Sequence, residues 1–274
     1  MKSLKEKLQV VILCAGEGAR FREDNSNIPK SLTPIQSMDN KPLLDIIITD
    51  LLNQGLKNIN LILGSLGNVI ESHIFKLKSR DPILNNCITI LNAHPDYKKG
   101  PLFTLLTILD YPEIFKKDSP FLVFPGDTVF DQNLLYEILK LLITGIDIFQ
   151  GKPIIFYKRV RASDIKKTSI SRVKTIKKRN TEILARIEEI DLLNNNEAVI
   201  KQILPVLFLN CEFLEFIYQI VKSSHSNKIS DILNEVCNTN LQEVIACEII
   251  SKGSFYDIDS VHDLDHLNKK RNGQ

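Results

Sequence analysis

The stretch Gln9 to Pro34, QVVILCAGEGARFREDNSNIPKSLTP, decides how the rest of the chain is read. Val10, Val11, Ile12 and Leu13 form a short apolar run rich in β-branched residues. A run of that length, stopped by glycine, predicts a strand buried on both faces, as in a parallel sheet. The chain then breaks into Ala15-Gly16-Glu17-Gly18-Ala19-Arg20. Small residues here let the backbone pass close to a ligand and present its N–H groups. Such a loop after a strand suits phosphate. Arg20 adds a fork of donors matched to phosphate oxygens. Further on, Pro29 fixes the backbone and Lys30 brings a second positive charge.

Gly-x-Gly alone has a plainer reading, a glycine turn at the end of a core strand. It is not the Walker loop, since no Gly-Lys-Ser/Thr follows, nor the dinucleotide fingerprint, since Phe21 stands where the third glycine belongs. The spacing of Arg20, Pro29 and Lys30 adds more. With them, the stretch resembles the signature of nucleotidyltransferases that make sugar nucleotides and related activated compounds. That signature is a strand, Ala-Gly-x-Gly-x-Arg, a variable gap, and Pro-Lys ahead of an apolar residue.

Composition is ordinary for a soluble globular protein: 274 residues, 43% hydrophobic, 25% charged, net charge +2. That length holds one large domain or two small ones with a sizeable core. The charge makes no global case for nucleic acid or a membrane surface. The first apolar run is too short for a signal peptide, and no run reaches membrane-spanning length. Five cysteines, at 14, 87, 211, 237 and 247, form no Cys-x-x-Cys pair. They read as reduced, mostly buried thiols of a cytoplasmic protein.

Periodicity predicts strand and helix in alternation. Helices are expected over 42–52, with Gly55 as cap, and over 66–77, 101–109 and 134–142. Strands are expected at 58–63, 88–91 and 121–124. Four alternations mark βαβ units, hence an α/β fold with helices on both faces of the sheet. Ligands then bind beyond the carboxyl ends of strands, so the glycine loop and Gly126-Asp127 should face one crevice. The second half predicts strands at 154–157, 173–176, 183–187 and 203–209, helices at 212–221 and 230–236, a strand at 244–250 that closes the sheet, and a last helix over 259–268. Lys158 to Arg179 carries ten Lys or Arg against one Asp. It is either a solvated hairpin or a basic rim that draws anions by its field.

Nucleotidyl transfer needs a held triphosphate, neutralised charge and an aligned acceptor. Magnesium, the usual neutraliser, prefers one or two carboxylates plus phosphate oxygens and water. Asp127, in an exposed turn after an apolar run, could be a turn residue or a helix cap. Asp257 and Asp259 are two apart, so on an extended segment both point to one face. They could equally open a helix that Ser260 caps, with Asp263 completing the box. The resemblance implies the metal role for Asp127 and Asp259, with Asp257 as neighbour. It also implies that Arg20 and Lys30 are catalytic. Leu13, Ala15, Gly16, Glu17, Gly18, Ala19, Arg20, Lys30, Gly64, Gly100 and Pro101 would line the nucleotide. Lys99 to Leu102 is similar to molybdopterin guanylyltransferases, whereas the close around Asp259 is similar to bacterial phosphocholine cytidylyltransferases. Where hexose-1-phosphate enzymes carry Glu-Lys-Pro, this chain has Ile187-Glu188-Glu189.

The resulting expectation is a single α/β domain spanning residues 1–274, with a Rossmann-like (GT-A-type) mixed, mostly parallel sheet. Residues 1–150 form the nucleotide half. Residues 151–250 form a smaller β-rich acceptor-side lobe, and 251–268 the metal segment and closing helix. The expected activity is magnesium-dependent transfer of NMP from an NTP to a sugar 1-phosphate or a phospho-alcohol such as phosphocholine, releasing pyrophosphate. The alternatives are a molybdopterin-type guanylyltransferase and, in another class, a non-catalytic nucleotide-sensing subunit of the same fold. No nucleic acid or membrane partner is expected; a homo-oligomer is left open.

Overall fold

The structure is a computed structural model that describes residues 4–18, 28–117, 119–149, 151–165, 167, 169–179, 181–195, 197–224, 226–239, 241–258, 263–264 and 267. The first half runs α1 (Leu4–Lys7), β1 (Gln9–Cys14), the small antiparallel pair β2 (Pro34–Ile35) and β3 (Lys41–Pro42), then α2 (Leu43–Asn53) and β4 (Ile59–Leu63). It continues α3 (Gly67–Arg80), β5 (Ile88–Asn92), α4 (Pro101–Leu106), β6 (Phe121–Pro125), β7 (Thr128–Phe130) and α5 (Gln132–Phe149). The second half runs β8 (Ile154–Arg161), β9 (Ser169–Lys178), β10 (Thr181–Asp191), β11 (Val199–Leu209), α6 (Cys211–Ser223), α7 (Ile229–Thr239), β12 (Ile245–Glu248) and β13 (Phe255–Asp257).

One nine-stranded sheet carries the molecule, in the order β5-β4-β1-β6-β11-β8-β12-β10-β9. β1 is its pivot: Ile12 lies opposite Leu61 of β4 on one side and Phe124 of β6 on the other, both in parallel. Its side chains alternate between two cores. Val10, Ile12 and Cys14 pack with residues of α2, α3 and α5, while Val11 packs with residues of α4, α6 and α7. Helices therefore cover both faces. This is why β1 reads as an unbroken apolar run and not as an alternating one.

The sheet is mixed, but the expectation of a mostly parallel one is corrected. Neighbours β5–β4, β4–β1, β1–β6 and β8–β12 are parallel, and β6–β11, β11–β8, β12–β10 and β10–β9 are antiparallel. For the pair β9–β10 the reason lies in the connection, since a short link joins these two neighbours. Parallel neighbours need a crossover of a dozen or more residues, usually a helix. Residues 244–250 do not close the sheet either. β12 lies inside it, between β8 and β10, and the edge belongs to β9, whose Lys177 and Lys178 are exposed. Lysines on an edge strand discourage pairing with another chain. The β-rich part is continuous with the main sheet, since β9 also meets β11 at Arg172 and Gln202.

Other differences are of length. β8 is longer than its apolar run, because only Ile154 to Tyr157 are buried and the next four residues alternate between partly and fully exposed. The helix expected over 101–109 is α4 followed by a tighter turn over Thr107–Asp110. Gly55 ends α2 with φ +81°, as its cap reading requires. The closing helix falls largely outside the described residues, although Asp263, Leu264 and Leu267 are helical and Leu267 is buried. All five cysteines are free, and all but Cys237 are buried. Among the described residues, no helix is long and apolar enough to cross a membrane.

Five strands of the second half are tied by one polar network. Glu182 on β10 accepts from Tyr157 on β8 at 2.7 Å, from Thr175 on β9 at 2.8 Å and from Lys201 on β11 at 2.8 Å. Tyr157 also donates to Glu248 on β12 at 3.3 Å, and the Lys201 ammonium lies 5.0 Å from the Tyr157 ring centroid. Burial would raise the Glu182 pKa, but hydrogen bonds from Lys201, Tyr157 and Thr175 outweigh it and hold the group at about 2.

Two tests of the fold follow from this packing. Leu61, fully buried beside β1, should cost about 2–5 kcal/mol when changed to Ala. Leu193→Ala, at an 83% exposed site, should stay within about 0.5 kcal/mol. Chemical denaturation checks both. The second test uses pH. A carboxylate held below its ordinary value of 4.5 contributes stability that is present above 4.5 and is lost as pH falls towards about 2. Glu182→Gln should therefore flatten the fall of Tm over that window, and parallel curves for the two proteins would contradict it.

Candidate active site

Three strand ends meet beyond β1. The Gly126 amide donates to the Leu13 carbonyl at 3.0 Å, and the Ser65 amide donates to the Ala15 carbonyl at 3.1 Å. The residues after β6 and β4 thus clamp the start of the glycine loop from both sides. Neither approach leaves room for a side chain. A Cβ at Gly126 would lie 2.6 Å from Cys14 Sγ and 2.9 Å from the Leu13 oxygen; one at Gly64 would lie 2.7 Å from Ala15 Cβ. Gly16 differs: a Cβ there would meet nothing within 4 Å. Gly16 and Glu17 are exposed, and Ala15 is buried. The loop therefore presents backbone to open space from a base held tightly below. Burial, with the charge of Asp127 beyond it, pushes the Cys14 thiol well above its ordinary range, so it fills space as a neutral group.

Lys30 begins a short 3-10 turn, Lys30–Leu32, after the extended Pro29. Its Cβ lies 3.5 Å from where a Cβ on Gly18 would stand, and its ammonium donates to Asp127 Oδ2 at 2.8 Å. The ion pair spans 97 residues of sequence and brings the Pro-Lys segment over the end of β6. The Lys30 side chain is 14% exposed and that of Asp127 33%, so the pair is accessible from the crevice.

The second carboxylate arrives on β13, which pairs antiparallel with β7 and sets Asp257 opposite Thr128. The buried Thr128 hydroxyl donates to Asp257 Oδ1 at 2.9 Å, and the Ile258 amide donates to the Asp127 carbonyl at 3.1 Å. Lys167, on the β8–β9 connection, lies 3.8 Å from Asp257 Oδ2. Lys158 of β8 donates to the Gly253 carbonyl just before β13. Among the described residues, no group of three or more His, Cys, Asp or Glu gathers. The carboxylate oxygens of Asp127 and Asp257 are hard donors of the kind magnesium takes together with phosphate oxygens and water.

The structure thus gathers Leu13, Ala15, Gly16, Glu17, Gly18, Lys30, Gly64, Asp127 and Asp257. Ala19, Arg20 and Asp259 lie outside the described residues. Gly100, at φ +137°, and Pro101 begin α4, where what Gly100 meets is Asn227: a Cβ there would lie 2.9 Å from that residue's carbonyl oxygen. Thr128 and Lys167 were not singled out by sequence. Thr128 could have been, as the residue after Gly126-Asp127; Lys167 was one of ten cations in a basic stretch. Part of that stretch is ion-paired. Arg159 pairs with Glu248, Arg172 with Glu188 and Glu197, Lys174 with Glu188, and Lys178 with Glu243. At these four cations glutamates answer the charge, as a solvated hairpin would allow.

The model of the MobA-like NTP transferase domain matches residues 10–160, more than half of the chain. The chain belongs to this family. Among curated proteins, it is 30% identical over 127 residues to the D-glycero-alpha-D-manno-heptose 1-phosphate guanylyltransferase of Campylobacter jejuni, covering 46% of this chain and 51% of that one. It is 28% identical over 127 residues to the UTP–glucose-1-phosphate uridylyltransferase AglF of Haloferax volcanii, covering 46% of each. The chain spans about half the length of these relatives. A UDP-glucose pyrophosphorylase solved with UDP-glucose superposes with a TM-score of 0.69 at 18% identity, covering 97% of this chain and 98% of that one. The CTP:phosphocholine cytidylyltransferase of Streptococcus pneumoniae superposes at 0.64 with 18% identity, covering 96% and 98%. These likenesses establish that the α/β nucleotidyltransferase fold is shared.

Gly16→Ala and Gly64→Ala should separate binding from stability. The first meets open space, so it should leave Tm nearly unchanged yet weaken NTP binding, because it crowds the face the loop presents. The second must displace Ala15 and should lower stability by about 1–3 kcal/mol. Calorimetry and titration of a fluorescent nucleotide read the two effects.

Proposed function

We propose that this member of the family transfers NMP from an NTP to a sugar 1-phosphate, with magnesium, and releases pyrophosphate. The observation that carries the reading is the Lys30–Asp127 pair set across the mouth of the glycine loop. It joins a phosphate cradle, a cation and a metal-type carboxylate at the carboxyl ends of adjacent parallel strands, where α/β sheets bind ligands. The curated relatives are named for sugar 1-phosphate acceptors, which favours that class over phosphocholine.

In this reading, the backbone amides from Gly16 to Gly18 hold the triphosphate, and Arg20 and Lys30 neutralise it. An acceptor phosphate oxygen bonds to the α-phosphorus while the bond to the bridging oxygen breaks. Pyrophosphate leaves with that electron pair, and no covalent enzyme intermediate is needed. Asp127 and Asp257, with Asp259, would hold the magnesium, which when bound supplies charge neutralisation and a template for in-line attack. Thr128 fixes the Asp257 carboxylate. Residues 1–150 serve the nucleotide, 151–250 the acceptor, and 251–268 close the metal segment.

The test is pyrophosphate release with magnesium, each of the four NTPs and a panel of sugar 1-phosphates and phospho-alcohols. Lys30→Ala should lower kcat by about 10²- to 10³-fold, the usual cost of removing one preorganised charge stabiliser. Asp127→Asn should lower turnover more than nucleotide affinity, because the loop still holds phosphate. Wild-type rates in either variant would sink the assignment.

A further inference from the structure

We propose that Lys167 is the residue that receives the acceptor's phosphate, a role that rests on the transferase reading above. Two lysine–aspartate pairs stand side by side in the crevice, one from each half of the chain. Lys30 reaches Asp127 from beside the glycine loop, and Lys167 reaches Asp257 from the β8–β9 connection. Asp127 and Asp257 are themselves joined through backbone: Ile258 donates to the Asp127 carbonyl, and Thr128 donates to the Asp257 carboxylate. The two ammonium groups thus reach two linked carboxylates from different parts of the chain.

The acceptor arrives on the side opposite the leaving pyrophosphate, since displacement at phosphorus is in line. It brings a phosphate that carries nearly two negative charges at neutral pH. Two carboxylates already stand there, so the acceptor needs a cation within reach of Asp257. Most described cations of the basic stretch are otherwise engaged. Arg159, Arg172, Lys174 and Lys178 are held by glutamates, and Lys158 donates to the Gly253 backbone. Lys167 is placed differently: its ion-pair partner is a carboxylate of the crevice itself. Its side chain is 50% exposed and the contact is 3.8 Å long. An ion pair this open is weak and easily given up. An entering acceptor phosphate would then take the place of Asp257 as the anion beside the Lys167 ammonium.

Steady-state kinetics on the full chain, with the NTP and acceptor that give the highest rate, provide the test. Lys167→Ala should raise the acceptor KM by about 10- to 100-fold, the range of a charge-assisted hydrogen bond, and Lys167→Arg should recover most of the loss. The NTP KM, and the Kd of a fluorescent nucleotide with magnesium, should stay within about twofold. Lys177→Ala removes the same charge from the same basic stretch on the edge strand and should change neither KM. An unchanged acceptor KM in Lys167→Ala, an equal rise in both KM values, or a matching effect of Lys177→Ala would overturn the assignment while leaving the transferase reading intact. If the wild-type chain releases no pyrophosphate with any pair, both fall together.

Discussion

Everything in the crevice depends on how closely two neighbouring backbones approach the end of β1. Gly126 and Gly64 press on Leu13, Cys14 and Ala15 at distances that admit no Cβ. Two amide–carbonyl bonds lock that contact, Gly126 to Leu13 and Ser65 to Ala15. A glycine loop is useful for phosphate only if its amides are fixed before the ligand comes, because ordering them afterwards would consume binding energy. Here the fixing is done from below, by the sheet. The loop above it stays open on the side that a ligand would use.

The second constraint is electrostatic. The crevice gathers carboxylates, and in the proposed reaction it would also receive polyanions. In the described residues each carboxylate is answered by a lysine, Lys30 on Asp127 and Lys167 on Asp257. The arrangement keeps like charges from repelling before substrates arrive. It also stores the positive charges where phosphates will need them. Partial exposure of both pairs matters, since a fully buried pair would be costly to separate.

The β-rich half is held by a different device. Short links join β8 through β11, β12 returns parallel to β8 after α6 and α7, and part of this half is buried against those helices. Further up, the strands expose alternate residues, and polar groups take over the cross-strand contacts. Glu182 gathers a hydroxyl from β8, another from β9 and an ammonium from β11. Five strands thus share one satisfied network. Glu188, at the place where related enzymes carry Glu-Lys-Pro, is taken up by Arg172 and Lys174.

Much of this was legible in the residues. Each strand expected in the described residues exists, because runs such as Val10 to Leu13 and Phe121 to Phe124 are buried on both faces and carry their signal unbroken. The glycine loop could be named from its place after a strand, whereas Lys30 and Asp127 were named through the resemblance carried by Ala-Gly-x-Gly-x-Arg and Pro-Lys. Strand order and direction were not legible. Apolar runs such as Ile245 to Cys247 look alike at an edge and in the middle, and only pairing put β12 between β8 and β10. The basic stretch stayed open for the same reason: the glutamates that answer part of it lie 14 to 89 residues away. By itself, the sequence determined the elements, the phosphate loop and the chemistry of its charged residues, since these follow from local spacing. Only the tertiary structure decided which lysine faces which aspartate, and that Thr128 and Lys167 stand against Asp257. Such contacts are set by strand register across the whole chain, which no local pattern encodes.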